Sequence, residues 1–202
     1  AGTQLVRLLR GMGVRGAAAM RAVEPGGAGR PGRLRPLLGL RRARLLEWAG
    51  THGLAWVEDE SNADLRFTRN AIRHRLLPVA EDLFAAAVPN LARAAGHFAE
   101  AEELLGELAA IDAAACGAPV LRREDFLALS PARQANLLRW LLHGLDAPPP
   151  ASVLLAEALR QLRACGVAHP LRLPLGVWAC CAYRDRMWLE PARPPAPQGL
   201  CW

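Results

Sequence analysis

Hydrophobic positions recur with helical spacing over most of the chain. Leu5, Leu8 and Leu9 share one side of a helix expected from Thr3 to Arg10, which Gly11 ends. Arg42 to His52 reads as another helix, with Gly53 suited to the left-handed position after it. A further helix is expected from Phe67 to Leu77, closed by Pro78, whose ring cannot sit inside a helix. Ala94, Phe98, Ala101, Leu105, Leu108, Ile111 and Ala115 recur every three or four residues, predicting one long amphipathic helix from about Asn90 to Ala115. Ser130-Pro131 places a cap before a first-turn proline and opens a helix that ends near Gly144. Ala147 to Pro150 is a stiff linker. Ser152 is expected to cap the next helix, in which Leu155, Ala158, Leu159, Leu162 and Cys165 share a face before Gly166. The period then changes to two at Leu171, Leu173, Leu175 and Val177, and Trp178 to Leu189 reads as a hairpin turning at Arg184-Asp185-Arg186. Arg33 to Leu38 and Ala55 to Val57 are candidate short strands, the first confined to an edge by Pro36. Gly26 to Gly32 reads as a flexible loop and the residues after Pro191 as a loose tail. No internal repeat is present.

Composition narrows the chemistry. The chain has 202 residues, and all 25 of its Lys+Arg residues are arginine. A lysine of this chain therefore cannot serve as a Walker A cation, a Schiff base or a general base. Arginine, in turn, is the better fork for phosphate. The net charge of +6 is uneven: residues 1–75 hold 14 Arg against 6 acids, 76–128 hold 3 against 9, and 129–202 hold 8 against 4. A polyanion would be gripped at both basic ends more than in the acidic middle. With 52% apolar and 22% charged residues the chain is not disordered, and no apolar run approaches a bilayer span. The first residues do not read as a secretory leader. Five cysteines, at 116, 165, 180, 181 and 201, form no CxxC pair and no zinc spacing. They read as reduced thiols of a cytoplasmic protein, with no structural metal. His52, His74, His97, His143 and His169 show no ligand spacing, and Trp140, Trp178 and Trp188 are expected in the core of a small domain.

Gly11-Met12-Gly13-Val14-Arg15-Gly16 matches G-x-G-x-x-G. A dinucleotide site needs a strand before that motif and an acid about 20 residues on. A helix precedes it here and no acid lies near residue 36, so it reads as a helix end followed by a glycine-rich turn.

The chemically richest stretch runs from Trp56 to Pro78. If 66–75 is helical, Arg66, Arg69 and Arg73 fall on one face and Asn70 borders it. Three guanidinium forks in a stripe suit phosphates and keep their charge at neutral pH. Asp59, Glu60 and Asp64 lie near the expected helix start, where they would complement its dipole and orient the arginines, and Ser61-Asn62 supplies turn hydrogen bonds. A solvated, salt-bridged surface helix is the competing account of the same residues.

The run Asp59-Glu60-Ser61-Asn62, then Phe67-Thr68-Arg69-Asn70-Ala71-Ile72-Arg73, then Leu77-Pro78, resembles the tRNA(Ile)-lysidine synthase family, N-type ATP pyrophosphatases of the PP-loop kind. Leu8 to Gly16 is similar to that family's L-L-R-G-x-G-x-x-G, and Arg35-Pro36-Leu37-Leu38 to its R-P-L-L. More loosely, Leu129 to Leu189 resembles the small domain that follows in many members. The resemblance implies a mainly α chain with minor β. The C-terminal edge of an α/β ATP-pyrophosphatase domain (1–80) would be followed by a long connecting helix (81–118), a small α+β tRNA-binding domain (119–190) and a tail (191–202). It implies a ligase that uses ATP, with Mg expected, to adenylate the wobble cytidine of an isoleucine tRNA before free lysine attacks and gives lysidine and AMP. Partners would be the tRNA(Ile) anticodon region and free lysine, with no membrane; a homodimer stays open. Carried over residue by residue, Arg69, Asn70 and Arg73 would be catalytic, with Asp59, Asn62, Arg10 and Arg66 supporting the ATP or tRNA side.

Two departures from the family pattern matter. The phosphate loop S-G-G-x-D-S does not occur in the sequence, which starts near the family's A-E-T element. The 202 residues are therefore expected to be the back part of a longer enzyme and not to bind ATP productively by themselves. Within that element Gly2 stands where the family has a glutamate implicated in holding the lysine substrate. Farther on, Arg133, Arg139, Arg160, Arg163, Arg184 and Arg186 are candidate tRNA contacts beside the aromatic Tyr183 and Trp178. A PP-loop tRNA thiolase and a non-catalytic basic RNA-binding module are the alternatives; thiolases of this kind often carry CxxC pairs, which the sequence lacks.

Overall fold

A computed structural model describes residues 2–18, 20–24, 26 and 31–193. The expected tail after Pro191 and the glycine loop at 26–32 lie for the most part outside the described residues, as does Cys201. The chain divides into two compact units, residues 1–103 and 104–202.

In the first unit, helix α1 (Gly2–Leu9) stops where Gly11 turns to φ +70°, and the one-turn helix α2 (Val14–Ala17) follows. The glycine motif is thus a link between two helices. Gly16 is there because a Cβ would lie 2.5 Å from Met12 Cβ. Strands β1 (Val23–Glu24) and β2 (Arg33–Leu34) form a minimal antiparallel pair, and the residues from Pro36 onward turn instead of extending it. Helix α3 (Arg42–Thr51) ends at His52 with Gly53 at φ +62°, as its sequence predicts.

Ala55–Val57 is not a strand. A strand needs a paired neighbour, and none is present among the described residues; Val57 is 96% exposed. The helix expected over 67–77 is also different. It begins as α4 (Thr68–Ala71), widens into a π turn (Ile72–Leu76) and continues as α5 (Leu77–Leu83), with Pro78 in the first turn of that last stretch. Pro78 has no N–H to give to His74 and its ring would press on that carbonyl. The wider turn, in which Leu77 N–H donates to Ile72 O, carries the helix past the proline instead of ending it. Few apolar side chains of this unit are enclosed: among the described residues Ala17, Ala18, Ile72 and Ala87 are buried, whereas α3 buries none of its residues.

Helix α6 (Ala87–Cys116) is the long helix that the three-and-four spacing predicts, and its C-terminal part enters the second unit. There, β3 (Leu121–Arg122), β4 (Leu171–Leu175), β5 (Trp178–Tyr183) and β6 (Arg186–Pro191) form an antiparallel sheet in the order β3-β6-β5-β4. The register aligns Leu171, Ala182, Met187 and Leu121 in a row across all four strands. Against that face pack α7 (Arg123–Ala128), α8 (Pro131–Gly144) and α9 (Ser152–Ala164), burying Phe126, Leu137, Leu138, Leu142, Leu155 and Leu162 in one cluster. Ser130 Oγ accepts from Arg133 N–H and caps α8 as expected. Ser152 does not cap α9: Leu155 N–H bonds to Ala151 O, so Ser152 is already the first helical residue. The three tryptophans are less enclosed than expected, since Trp178 and Trp188 are half-buried and Trp140 is 38% exposed. The mainly helical fold with minor β agrees with the sequence reading.

Candidate functional site

The stretch 59–78 builds a small, cross-braced element in the first unit. Asp59 Oδ1 accepts the amide of Ser61 at 2.9 Å, and Asn62 N–H bonds back to Asp59 O, so the carboxylate caps a 3-10 turn over Glu60–Ala63. The Ser61 hydroxyl and amide together hold the Asp59 carboxyl below the usual carboxylate range. Asp64 repeats the device: its Oδ1 accepts Arg66 N–H at 2.9 Å and Arg66 Nε at 3.1 Å, and its Oδ2 accepts Arg66 Nε at 3.0 Å and Nη2 at 2.8 Å. That fork, with the Arg66 amide, lowers the Asp64 pKa.

Helix α4 and the π turn after it then lay one side chain each back across this turn. Asn70 is buried, and its Nδ2 donates to Ser61 O at 2.8 Å and Asp64 O at 3.0 Å. His74, four residues on, brings Nε2 to 3.1 Å from Asn62 O. The opposite outcome holds for Arg69 and Arg73. Both are exposed, and their side chains make no hydrogen bond or ion pair with any described residue. Two permanently charged forks therefore stand beside a rigid turn with their donors unspent, a geometry suited to phosphate oxygens.

The stripe of Arg66, Arg69 and Arg73 is not formed. The helix starts only at Thr68, and Arg66 lies in the preceding turn, locked on Asp64. Nor do the upstream acids orient the arginines: Asp59 bonds to Ser61, and only Asp64 holds a guanidinium, that of Arg66. Asn62 contributes its backbone carbonyl to His74. Arg10 is exposed just past the end of α1, its amide bonded to Val6 O and Arg7 O. Helix α1 packs on α4 and the π turn, and a Cβ at Gly2 would lie 3.9 Å from Leu77 Cδ1, an ordinary contact that leaves room for a side chain.

The candidate RNA contacts of the second unit differ in availability. Arg133 grips the fully buried Asp112 through both Nε, at 3.1 Å, and Nη2. Arg160 is bidentate on Glu157 at 2.8 and 2.6 Å, and Arg163 donates to Gln134 Oε1 at 2.6 Å. Arg186 lies 3.6 Å from Asp185, and Arg184 sits over the Tyr183 ring at 5.2 Å. Arg139 is exposed and makes no hydrogen bond or ion pair among the described residues. Thus Arg133 and Arg163 serve the fold first, and Arg139 and Arg184 have no carboxylate to surrender.

Sequence reasoning missed Arg123. It is 3% exposed, yet its Nη2 donates to Leu162 O at 2.9 Å and to Cys165 O, and its Nη1 to Gly166 O at 3.4 Å. A guanidinium thereby closes the C-terminal carbonyls of α9, where the helix dipole favours a cation. The signal was weak: an arginine beside Glu124 and Asp125 looks like a surface charge. Cys116, Cys165, Cys180 and Cys181 are free; burial pushes the Cys180 thiol up to about 12, and burial together with the Glu190 carboxylate pushes Cys181 up to about 11. Among the described residues no group of His, Cys, Asp and Glu is arranged to hold a metal ion, and no helix is long and apolar enough to cross a membrane.

Comparison with known proteins meets this geometry at both units. Residues 1–80 match a PP-loop domain and residues 121–188 a TilS substrate binding domain. The chain is 54% identical over 209 aligned residues to the tRNA(Ile)-lysidine synthase of Aromatoleum aromaticum, covering 99% of this chain and 48% of that protein. Against the tRNA(Ile)-lysidine synthase of Azoarcus sp. it is 53% identical, covering 93% of this chain and 42% of the relative, and against that of Pseudomonas aeruginosa 49% identical, covering 69% and 34%. The chain spans about half the length, or less, of these curated relatives. With the Arg69–Arg73 element inside a PP-loop segment and a TilS substrate binding domain after it, the chain belongs to the tRNA(Ile)-lysidine synthase family.

Proposed function

We propose that this chain supplies the cytidine-activating side of a tRNA-modifying ligase and its tRNA-holding domain. In the reaction, the wobble cytidine of an isoleucine tRNA attacks the α-phosphorus of ATP at its C2 oxygen and releases pyrophosphate. Free lysine then displaces AMP from C2 and leaves lysidine. The observation that carries this reading is the pair Arg69 and Arg73, exposed and unpaired beside a turn that Asn70 and His74 brace. As negative charge builds on the transferring phosphate, two guanidiniums already in place stabilise it without reorganisation. Asn70 acts by positioning, because its amide donors are spent on Ser61 and Asp64. Asp59 and Asp64 hold the turn, Asn62 anchors His74, Arg66 braces Asp64, and Arg10 flanks the same side. Donors for phosphate are therefore present; a magnesium-holding cluster is not found among the described residues, and no step is assigned to the ion.

In this reading 1–80 belongs to the ATP-binding domain, 81–118 connects, and 119–190 holds the tRNA, with the work done in the cytoplasm. Of its arginines, Arg139 and Arg184 contact RNA most directly, and Arg160 and Arg186 exchange a carboxylate for phosphate. Arg133 and Arg163 contribute field more than contact. The 202 residues alone, which contain no S-G-G-x-D-S, do not carry the full reaction.

The test joins this chain to the part of the Aromatoleum aromaticum relative that it does not cover and follows incorporation of labelled lysine into tRNA(Ile). Arg69→Ala and Arg73→Ala are each expected to lower turnover by about 100-fold or more, the range for loss of one donor to a developing anion. Activity undiminished in both variants would overturn the assignment. Lysidine formation by the 202-residue chain alone would overturn its dependence on the missing loop.

A further inference from the structure

The second unit holds a cleft of about 410 Å³ that the reading above leaves unused. That size falls in the range of small-ligand sites. It opens between the C-terminal half of α8 and the sheet. Leu138, Cys180 and Met187 form its depth, Trp140 and Trp188 line it, and no carboxylate does. Trp140 is 38% exposed although it sits on the helix that carries Leu137, Leu138 and Leu142 into the core. Trp188 is steadied by its indole N–H, which donates to Glu190 Oε2 at 3.0 Å. Charge meets this apolar slot from one side. Arg139 precedes Trp140, is exposed, and makes no hydrogen bond or ion pair among the described residues. It lies one helical turn from His143, which lines the cleft.

An apolar slot faced by indole rings, with no acid in its wall and an exposed arginine next to one of those tryptophans along α8, matches one chemistry closely. A nucleobase offers a flat apolar ring that stacks on an aromatic side chain, and the phosphate attached to it offers the anion. An apolar peptide would fill the same slot without using Arg139, whereas a nucleotide uses both. We propose that this cleft takes one unstacked base of the tRNA, stacked on Trp140, with Arg139 on the adjoining phosphate. This rests on the reading of the chain as a tRNA-holding protein and names where on the second unit a single base is captured.

The experiment titrates labelled tRNA(Ile) transcript against the 202-residue chain at several salt concentrations. Trp140→Ala is expected to weaken binding about 10- to 100-fold while leaving the slope of affinity against salt unchanged, because stacking releases no counterions. Arg139→Gln is expected to weaken binding and reduce that slope by about one phosphate contact. Trp140→Phe keeps an aromatic face and retains most of the affinity, and its thermal melt, with that of Trp140→Ala, confirms that the unit still folds. If the parent chain binds tRNA with a salt-dependent slope and Trp140→Ala binds equally well, the cleft proposal fails and the tRNA reading stands; the cleft then suits a polypeptide segment. If Trp140→Phe loses as much as Trp140→Ala, stacking fails as the cause. If the parent chain shows no salt-dependent binding, the tRNA reading fails and takes this proposal with it.

Discussion

Asn70 offers the sharpest check on how the candidate site is held. Its Nδ2 donates to two backbone carbonyls, Ser61 O at 2.8 Å and Asp64 O at 3.0 Å, from a side chain only 7% exposed. Each neutral bond of this kind contributes about 1 kcal/mol, so Asn70→Ala is expected to loosen the turn by about 2 kcal/mol. Asn70→Asp keeps the shape but sets an acceptor-only carboxylate against two carbonyl oxygens; the loss rises to about 3–4 kcal/mol with the cost of an uncompensated charge. The sign of the pH effect follows. A carboxyl in that place is easier to protonate when folded than when unfolded, so its penalty is full at neutral pH and shrinks as pH falls toward 4. Hydrogen exchange at the amides of Asn62, Asp64 and Arg66, all bonded within the turn, reads this directly. A 2 kcal/mol loss corresponds to about 30-fold faster exchange in the Ala variant relative to the parent chain. Unchanged exchange in Asn70→Ala, or a penalty in Asn70→Asp that is equal at pH 4 and pH 8, would refute the bracing role.

Further predictions concern the second unit and, in the first, Gly2. Arg123→Met keeps the aliphatic stem but uncaps the carbonyls of Leu162, Cys165 and Gly166; a loss of about 3 kcal/mol is expected, seen as a Tm lower by about 12 °C or more, and a variant melting within about 2 °C of the parent would count against the cap. Asp112→Ala removes the fully buried partner of Arg133, and urea unfolding is expected to show a clear loss of stability, larger than that of Glu157→Gln on the exposed pair with Arg160. The carboxyls of Glu157 and Glu190 are held down to about 2, by Arg160 and by Arg172 respectively. Their depressed folded values mean a contribution present above the ordinary value of 4.5 and lost as pH falls toward 2, so a melt series from pH 6 to 2 should decline less steeply in Glu190→Gln. Gly2→Glu, in the joined protein, is expected to lower the lysine concentration needed for half-maximal rate without loss of fold, since a Cβ there meets only Leu77 at 3.9 Å.

Local physics was legible in the sequence wherever one rule acted alone. Ser130 and Pro131 announce the start of α8 because the cap accepts the orphan N–H of Arg133 and the first-turn proline has no N–H to leave orphaned. The alternating leucines of β4 place Leu173 and Leu175 in the core because a strand has only two faces. Expectations failed where a second constraint intervened. Pro78 ends most helices, but a π turn ahead of it removes the clash. Ala55–Val57 has strand composition but no strand beside it. Arg66 has the right spacing for a stripe, yet Asp64 two residues back captures it before the helix begins. The site followed the same rule. The Arg-Asn-x-Ile-Arg element was readable as a motif, but the division of labour within it was not: Asn70 bracing inward and Arg69 and Arg73 standing free depends on where the chain before Thr68 folds back.

The π turn also bears on how this segment tolerates change in length. It holds one residue more than an ordinary helical turn. The surplus is absorbed within that one turn, where Leu77 N–H reaches five residues back to Ile72 O instead of four. Deleting a single position within 72–76 would restore regular α geometry with Leu77–Leu83 facing much as they do now, but would press the ring of Pro78 back onto the carbonyl four residues before it. A deletion in a regular α turn would instead rotate everything beyond it by about 100° around the helix axis. The wide turn therefore keeps the two ends of this rod in step, at a length that the proline makes necessary.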